Sequence, residues 1–179
     1  MKGIVIKSTG SWYSVRLDDG ELINARIKGK FRLKGIKTTN PIAVGDKVSL
    51  DKEADGTAVI YEISPRKNYI IRKSINLSKR SHIIASNIDQ AILVVTLNQP
   101  KTYTAFIDRF LVTAEAYHIP TVIVFNKIDV YGEKENEELK ILKAAYEKIG
   151  YQCLEISVLK DINIDQVKEI MKGKTSMVS

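Results

Sequence analysis

The sequence predicts two domains: an N-terminal all-β barrel of the OB type, followed by an α/β domain built on a parallel sheet. Two changes along the chain predict this division. Residues 1–65 contain five short strand-like runs, whereas strand-like and helix-like runs alternate after residue 85. The charge also changes, because residues 1–80 hold 17 Lys and Arg against 8 Asp and Glu, whereas residues 81–179 hold 11 against 13. A chain of 179 residues is long enough for two small cores.

Composition excludes several classes of protein. The chain is 44% hydrophobic but has no apolar run of about 18 residues, so we expect a soluble protein with no membrane partner. Only Lys2 precedes the mildly apolar residues 3–6, so we expect no signal peptide. The single Cys153 can form no internal disulfide, which indicates a buried, inert thiol in a reducing, cytoplasmic protein. His82 and His118 are too few and too far apart to indicate a metal site.

Five strand-like runs define the predicted barrel. They are GIVIKS (3–8), WYSVRLD (12–18), ELINARI (21–27), KVSLDKE (47–53) and TAVIYEIS (57–64). Turn residues separate them, including Gly10, Gly20, Pro41, Gly45 and Gly56. Five short strands in this length are typical of an OB-type barrel, which binds oligonucleotides on one face and with its loops. An SH3-like barrel would give a similar pattern.

One stretch of the barrel carries a regular row of cations. Basic residues occupy every second position of ARIKGKFRLKGIK, namely Arg26, Lys28, Lys30, Arg32 and Lys34. In an extended chain this spacing places all five on one face. Closely spaced cations repel one another unless an anion neutralises them, and a phosphate backbone does so while releasing counterions. RNA contact is therefore predicted here; the alternative is a solvated edge strand whose lysines prevent aggregation.

A second basic cluster follows the barrel. RKNYIIRKSINLSKR, residues 66–80, has six basic residues and no acidic one. We interpret residues 66–83 as a basic linker between the two domains. RNA contact is predicted for Arg66, Lys67, Arg72 and Lys73, and Tyr69 is available to stack on a base. The alternative is a merely solvated connector.

The second half alternates between strands and helices. Strands are expected at 91–96, 121–125, 153–157 and 175–179, and helices at 103–117, 135–150 and 163–173. The runs AILVVT and TVIVF are continuously apolar, as in a parallel sheet that is buried on both faces. Such a sheet binds ligands at the carboxyl ends of its strands.

The predicted helices have apolar stripes and recognisable ends. The first stripe consists of Ile107, Phe110, Leu111 and Ala114, and the second of Leu139, Leu142, Ala145 and Ile149. Gly150 and Gly173 are expected to end the second and third helices, and Asn163 is expected to cap the start of the third.

A polar tetrapeptide stands where one buried strand ends. Asn126, Lys127, Ile128 and Asp129 follow TVIVF directly. A carboxylate at Asp129 can accept both adjacent donors of guanine, its ring N1–H and its exocyclic amine, whereas adenine presents an acceptor at N1. The amide of Asn126 can tie neighbouring loops, and Lys127 can lay its alkyl stem over a purine while its ammonium stays in solvent. The pattern predicts guanine recognition, although the tetrapeptide also occurs by chance.

A second motif supports this prediction. Ser157 and Val158 end the next strand, 31 residues after Asn126. The motif resembles the Ser-Ala-Lys motif that GTPases place here, where a backbone N–H meets the carbonyl oxygen of guanine. Val158 and Leu159 depart from that wording, but a backbone donor tolerates Val. Alternatively, Ser157 is simply a turn residue that precedes a helix.

GKTS at residues 173–176 is not expected to bind phosphate. A phosphate loop has the pattern G-x-x-x-x-G-K-[ST] after a strand and before a helix. Counting back from Gly173 places Lys168 at the first glycine position, and the segment follows a helix.

The order of these features resembles the ribosome small subunit-dependent GTPase A family. A barrel, a basic connector, ASNIDQAILVV, FIDRFLVTAE, N-K-I-D and then the Ser157 motif follow one another over essentially the whole chain. Members of that family are circularly permuted GTPases, in which the guanine-recognition motifs precede the phosphate loop. The resemblance implies an OB-like barrel over 1–65, the linker 66–83, and over 84–179 the N-terminal part of a P-loop-type GTPase domain.

The resemblance also implies a function. The full-length protein is expected to bind GTP and GDP, to hydrolyse GTP, and to assist maturation of the small ribosomal subunit, whose rRNA the barrel binds. The phosphate loop, the magnesium ligands and a zinc-binding domain are expected beyond Ser179, so residues 1–179 alone should not hydrolyse GTP. A cytoplasmic monomer is expected. The competing hypothesis is an RNA-binding module whose α/β half is a docking platform that binds no nucleotide.

Overall fold

The chain folds into two compact units, Met1–Asn87 and Ile88–Ser179. A computed structural model describes residues 1–27, 41–73 and 81–179. The first unit contains strands β1 (Lys2–Thr9), β2 (Trp12–Leu17), β3 (Leu22–Ile27), β4 (Lys47–Lys52), β5 (Ala58–Ile63), β6 (Tyr69–Lys73) and β7 (Ser81–Ser86). The second contains β8 (Gln90–Val95), α1 (Thr104–Ala116), β9 (Thr121–Phe125), α2 (Glu133–Lys148), β10 (Gln152–Glu155), α3 (Ile164–Met171) and β11 (Ser176–Val178).

The first five strands close into a barrel in the order β1-β2-β3-β5-β4, so the predicted OB-like barrel is confirmed. All neighbours are antiparallel except β3 and β5, which run parallel. Alternate residues point inward, as the strand period requires. The core consists of Val5, Tyr13, Val15, Leu17, Ile23, Ala25, Ile42, Val48, Leu50, Ala58 and Ile60. The register shifts by one residue in two ladders, at Ile6 of β1 opposite β2 and at Tyr61 of β5 opposite β4, and such bulges bend the strands locally.

The segment interpreted as a linker is partly a hairpin. β6 and β7 pair antiparallel, and both belong to the first unit. The interpretation of 66–83 as a plain connector is therefore wrong over these strands. Tyr69, Ile70 and Ile71 are consecutive and show no apolar–polar alternation, so they did not indicate a strand. The six basic residues of this segment favoured a solvated linker instead.

Buried charges attach the hairpin to the barrel. The Asp46 carboxylate is fully buried and accepts hydrogen bonds from Arg66 Nε and Nη2, both at 2.6 Å. The Ser86 hydroxyl donates to the same carboxylate at 2.6 Å, and the Ala43 N–H donates to it at 2.9 Å. Val44 forms a parallel bridge with Ala85. Asp46 thus joins the loop before β4, the start of the hairpin and its last strand.

The second unit is a four-stranded parallel sheet in the order β10-β9-β8-β11. Helices α1 and α2 cover one face, where Leu93, Ile123 and Phe125 are buried. Helix α3 packs on the other face against Ile92, Val124 and Ile156. The predicted α/β domain with a parallel sheet is confirmed, and β11 is the predicted fourth strand. No described helix is both long and apolar enough to cross a bilayer.

Two details of the helices differ from the prediction. In α2 the buried residues are Leu139 and Tyr146, whereas Ala145 is exposed and Ile149 is 67% exposed. Tyr146 takes the inward position because its hydroxyl donates to Asp108 at 2.9 Å, a bond that apolar periodicity does not reveal. Asn163 stands at the N-cap position of α3, but its amide donates to the Glu155 carbonyl at 2.8 Å instead of capping the helix.

Candidate functional site

The two motifs singled out in the sequence lie side by side. β9 and β10 are parallel neighbours, so the residues that follow them meet at one edge of the sheet. Asn126 follows β9 directly, and its Oδ1 accepts a hydrogen bond from the Val158 N–H at 3.1 Å. The segment 126–129, here called the N-K-I-D loop, is therefore held against the loop that contains Ser157 and Val158.

Asn126 connects three segments. Its N–H donates to the Val95 carbonyl at the end of β8 at 2.8 Å. Its side-chain oxygen accepts from the N–H groups of Lys127, at 2.8 Å, and Val158. The expected loop-tying role of the amide is thus observed. The Val158 N–H, which we expected to meet the guanine carbonyl, is already engaged by Asn126 in this structure.

Asp129 is the unusual side chain of the site. It lies in a short 3₁₀ turn, Ile128–Val130, which is fixed by hydrogen bonds from the Ile128 N–H to the Ile156 carbonyl (3.2 Å) and from the Val130 N–H to the Lys127 carbonyl (3.1 Å). Its Oδ1 is buried and has no hydrogen-bond partner among the described residues. Leaving a buried acceptor unpaired costs about 1–3 kcal/mol, and more if it is charged. Asp129 Oδ1 is therefore an acceptor for which the described residues supply no donor.

Lys127 has a left-handed backbone with φ of 68°. Its ammonium donates to the Gln99 carbonyl. Gln99 belongs to residues 96–103, here called the β8–α1 loop. The lysine therefore links the N-K-I-D loop to a neighbouring loop in addition to any contact with a base.

Ser157 shapes the second loop from its interior. It is fully buried, and its hydroxyl accepts from the Lys160 N–H at 3.0 Å. Its backbone exchanges two hydrogen bonds with Ile162, at 3.1 and 2.9 Å. Val158 and Leu159 lie on the outside of this turn and are 63% and 80% exposed. The alternative interpretation of Ser157 as a turn residue thus also describes what its side chain does.

Sequence reasoning missed one residue next to the site. Tyr131 is 9% exposed, and its hydroxyl accepts from the Leu97 N–H at 2.9 Å and donates to the Asn126 carbonyl at 2.6 Å. Burial raises the pKa of this hydroxyl above its ordinary value of 10.0. The sequence did not indicate a role for Tyr131, because its hydroxyl contacts backbone groups that only the fold brings together.

An apolar cavity of about 250 Å³ adjoins the site on the α3 side of the sheet. Val94, Val124, Ile156, Val167, Met171 and Val178 contribute to its lining, and Asn126 and Val158 lie at its edge. Lys168 is the one charged residue among the described residues that line it.

GKTS does not form a phosphate loop. The segment lies between the end of α3 at Met171 and the start of β11 at Ser176, so it follows a helix and leads into a strand. Gly173 has φ of +69°, which suits the end of a helix. Among the described residues there is also no group of three His, Cys, Asp or Glu side chains that could hold a metal ion.

Apart from Arg66, the predicted RNA contacts fall into three groups. Arg26 lies on β3, is half-exposed and pairs with Glu53 at 2.6 Å; Lys67 is exposed. Lys28, Lys30, Arg32 and Lys34 lie outside the described residues, so the alternating row of cations is not tested. Arg72 and Lys73 belong to β6.

The prediction for Arg66 is wrong. Its side chain is 7% exposed and its guanidinium binds Asp46 and the Pro41 carbonyl, so it serves the interior of the first unit and is not available to RNA. The sequence did not predict this burial, because Arg66 lies in a run of basic residues and its partner Asp46 is 20 residues away.

Comparison with known families divides the chain in two parts. Residues 2–60 match the sequence profile described as the RsgA N-terminal domain, and residues 63–179 match that described as RsgA GTPase. The second match begins before the hairpin, which the structure groups with the barrel.

Several curated proteins resemble the whole chain. A small ribosomal subunit biogenesis GTPase RsgA from Bacteroides fragilis is 56% identical over 179 residues, and one from Christiangramia forsetii is 58% identical over 182 residues. In both comparisons all of this chain is matched, but it spans only 58% of the relative.

Solved structures agree with these relatives. YjeQ from Thermotoga maritima matches with a TM-score of 0.80 at 35% identity, over 99% of this chain and 59% of that one. YloQ, described as a circularly permuted GTPase, matches with a TM-score of 0.76 at 31% identity, over 99% of this chain and 58% of that one.

Proposed function

The chain belongs to the RsgA GTPase family, and from this premise we propose that it forms the RNA-binding and guanine-recognising part of a GTPase that acts in maturation of the small ribosomal subunit. The proposal concerns a longer protein, because the chain spans 58% of the relatives to which it is compared.

The buried, unpaired Oδ1 of Asp129 carries the proposal. A carboxylate in this position is stabilised by a ligand that brings two adjacent N–H donors, and guanine does so with N1–H and its exocyclic amine. Adenine would bring the lone pair of N1 against the carboxylate. A site built around such a hydrogen bond can discriminate against the wrong base by about 10⁴-fold.

The neighbouring residues have supporting roles. Asn126 holds the two loops together, Lys127 covers one face of the base with its alkyl stem, and Ile128 anchors the turn through its N–H. Ser157 fixes the loop whose Val158 N–H would turn from the Asn126 amide to the guanine carbonyl when a nucleotide binds.

The phosphates need groups that this stretch does not supply. Backbone N–H groups and a lysine at a helix start provide much of the binding energy for a triphosphate. The sequence of residues 1–179 contains no G-x-x-x-x-G-K-[ST] pattern. We therefore place the phosphate loop and the Mg²⁺ that accompanies GTP in the longer protein, and expect no GTP hydrolysis by residues 1–179 alone. A zinc-binding domain in the longer protein is proposed from the family resemblance only.

The barrel unit is proposed to bind rRNA. Its excess of basic residues suits a phosphate backbone, and the proposed contacts are Arg26, Lys28, Lys30, Arg32, Lys34, Lys67, Arg72 and Lys73. We place the protein in the cytoplasm, where small subunits are assembled, and propose that it acts as a monomer.

Nucleotide binding to the full-length protein tests the proposal. GDP should bind at least about 10³-fold more tightly than ADP, since only guanine satisfies Asp129. Equal affinities would refute guanine recognition.

Calorimetry on residues 1–179 tests where the phosphate site lies. Base contacts alone must offset a loss of translational and rotational freedom of about 4 kcal/mol or more, so GTP should bind no more tightly than about 1 mM. Micromolar affinity, or GTP turnover above background, would show that residues 1–179 contain a phosphate site.

A further inference from the structure

Tyr131 joins two loops through one buried hydroxyl. The hydroxyl accepts from the Leu97 N–H at 2.9 Å and donates to the Asn126 carbonyl at 2.6 Å. Leu97 belongs to the β8–α1 loop and Asn126 begins the N-K-I-D loop. Both contacts involve backbone groups, so they constrain the course of the chain itself.

The constrained stretch contains Asp129. Asn126 is fixed on one side by its N–H bond to the Val95 carbonyl and on the other by the Tyr131 hydroxyl. The Tyr131 N–H bonds back to the Ile128 carbonyl at 3.4 Å and closes the short turn. Residues 126–131 therefore form a small ring of contacts that fixes the backbone from which the Asp129 side chain extends.

The β8–α1 loop is itself anchored. The Thr102 N–H donates to the Thr96 carbonyl at 2.7 Å, and Lys101 forms an ion pair with Glu138 of α2 at 2.6 Å. Lys127 adds a second link from the N-K-I-D loop through the Gln99 carbonyl. The hydroxyl of Tyr131 thus ties the N-K-I-D loop to a neighbour that is already held in place.

A hydroxyl is the group that this position requires. It donates and accepts at the same time, which satisfies one buried N–H and one buried carbonyl. Phenylalanine would fill the same space but leave both backbone groups without a partner. A phenol with its ordinary pKa of 10.0 already keeps its proton at neutral pH, and burial raises the pKa of this hydroxyl further.

We propose that Tyr131 is a positioning residue for guanine recognition, which sets the place of the Asp129 carboxylate by joining the N-K-I-D loop to the β8–α1 loop. The inference rests on the proposed function, since it assumes that Asp129 binds the base. It predicts that removing one oxygen atom, which touches no part of the nucleotide, weakens the choice of base.

Tyr146 provides a matched control. It is 6% exposed, belongs to the same apolar core as Tyr131, and its hydroxyl donates to Asp108 at 2.9 Å. Its contact joins α2 to α1 and involves neither loop of the site. Tyr146→Phe therefore removes a buried hydroxyl of the same unit without releasing Asp129.

The experiment compares GDP and IDP binding to the full-length wild-type protein, Tyr131→Phe and Tyr146→Phe. Hypoxanthine keeps N1–H but lacks the amine, so the GDP/IDP affinity ratio reports how well Asp129 meets both donors. Tyr131→Phe should weaken GDP binding by about 5- to 10-fold and lower the ratio, which corresponds to the net effect of removing about one hydrogen bond. Tyr146→Phe should leave both unchanged.

The outcomes separate the inference from the proposed function. If the wild type binds GDP no better than ADP, guanine recognition fails and the inference fails with it. If the wild type prefers guanine and Tyr131→Phe behaves like Tyr146→Phe, only the role of Tyr131 is overturned.

Hydrogen exchange of the wild-type protein gives a second measurement that needs no variant. GDP should slow exchange of the Leu97 amide, because the bound base and the Tyr131 contact restrict the same stretch. An exchange rate that GDP leaves unchanged would contradict coupling between the two loops.

Discussion

Asp46 carries a carboxylate inside the first unit, and Arg66 is its charged partner. The carboxylate is fully buried, the Arg66 side chain is 7% exposed, and two bonds of 2.6 Å join them. Arg26 and Glu53 form a pair of the same length whose side chains are 51% and 37% exposed. The two pairs differ in burial, and burial decides what removal of one partner costs.

We expect Arg66→Ala to destabilise the first unit by about 3–5 kcal/mol, because Asp46 would keep a buried charge without compensation. Arg26→Ala should cost about 1 kcal/mol or less, since water takes the place of the missing partner. Urea unfolding followed by the single Trp12, which lies in β2, reports on this unit. Equal midpoints for the two variants would contradict the role given to Arg66.

Cys153 should react slowly with thiol reagents. Burial raises the pKa of its thiol to about 11, from an ordinary value of 9.0. Only the thiolate attacks, so the alkylation rate of the folded protein should rise about tenfold per pH unit from pH 7 to 10. If the alkylation rate is high and stops rising near pH 9, the thiol has its ordinary pKa of 9.0 and is exposed to solvent, which would contradict its burial.

Among the elements, the hairpin depends on one close approach of the backbone. Gly45 has φ of +91°, and a Cβ built on it would stand 2.0 Å from the Ser86 carbonyl oxygen. The N–H of Gly45 donates to the Val5 carbonyl at 2.8 Å, and that of Ser86 donates to the Val44 carbonyl at 2.9 Å. Glycine is therefore needed here both for its backbone angle and for space.

Gly45→Ala should be much more disruptive than Gly56→Ala. Gly56 has φ of +82°, but a Cβ there meets nothing within 4 Å, so its substitution should cost only the backbone strain of about 1–2 kcal/mol. Gly45→Ala adds a clash with backbone that no rotamer can relieve, and should separate the loop from β7. Thermal unfolding monitored at Trp12 checks this, and similar shifts in both variants would rule out the close approach.

Element types were predictable wherever the pattern was local. The five barrel strands and the alternation after residue 85 follow from periods of two and of about 3.6 residues, and turn glycines mark their ends. The hairpin, the inward turn of Tyr146 and the Glu155 contact of Asn163 were not predictable. Tyr146 depends on Asp108, 38 residues away, and Asn163 on a backbone carbonyl, and neither contact is visible in hydrophobic periodicity.

At the scale of the whole molecule, the two units carry net charges of opposite sign, since the basic excess lies in the first. We expect Lys28, Lys30 and Arg32, all replaced by Glu, to weaken binding to small ribosomal subunits. The slope of log affinity against log salt should also flatten by about one unit for each phosphate group that the variant no longer neutralises.

A control with the same change in net charge lies in α2. Lys134, Lys140 and Lys148 are exposed on the second unit, and their replacement by Glu should leave the salt slope unchanged. If both triple variants bind equally well, the row of cations in the first unit is only a solubilising edge.

The location of the candidate site was predictable from the sequence, but the residues that hold its loops in place were not. The motif and the position of the strands indicated Asn126 and Asp129, because base recognition uses side chains at fixed places in sequence. The residues that hold them do not form a motif. Tyr131 contacts backbone groups, which leave no sequence pattern. The pairing of Arg66 with the buried Asp46 carboxylate is likewise visible only in the structure.

The nucleotide preference of Asp129→Asn in the full-length protein tests guanine recognition most directly. An amide in place of the carboxylate offers a donor where the guanine amine needs an acceptor, whereas xanthine has a carbonyl at that place. GDP affinity should fall by about 100-fold or more while XDP affinity rises, with Asp165→Asn, an exposed acid of α3, as the control without effect. An Asp129→Asn protein that still prefers GDP to XDP would contradict the claim that Asp129 recognises the base.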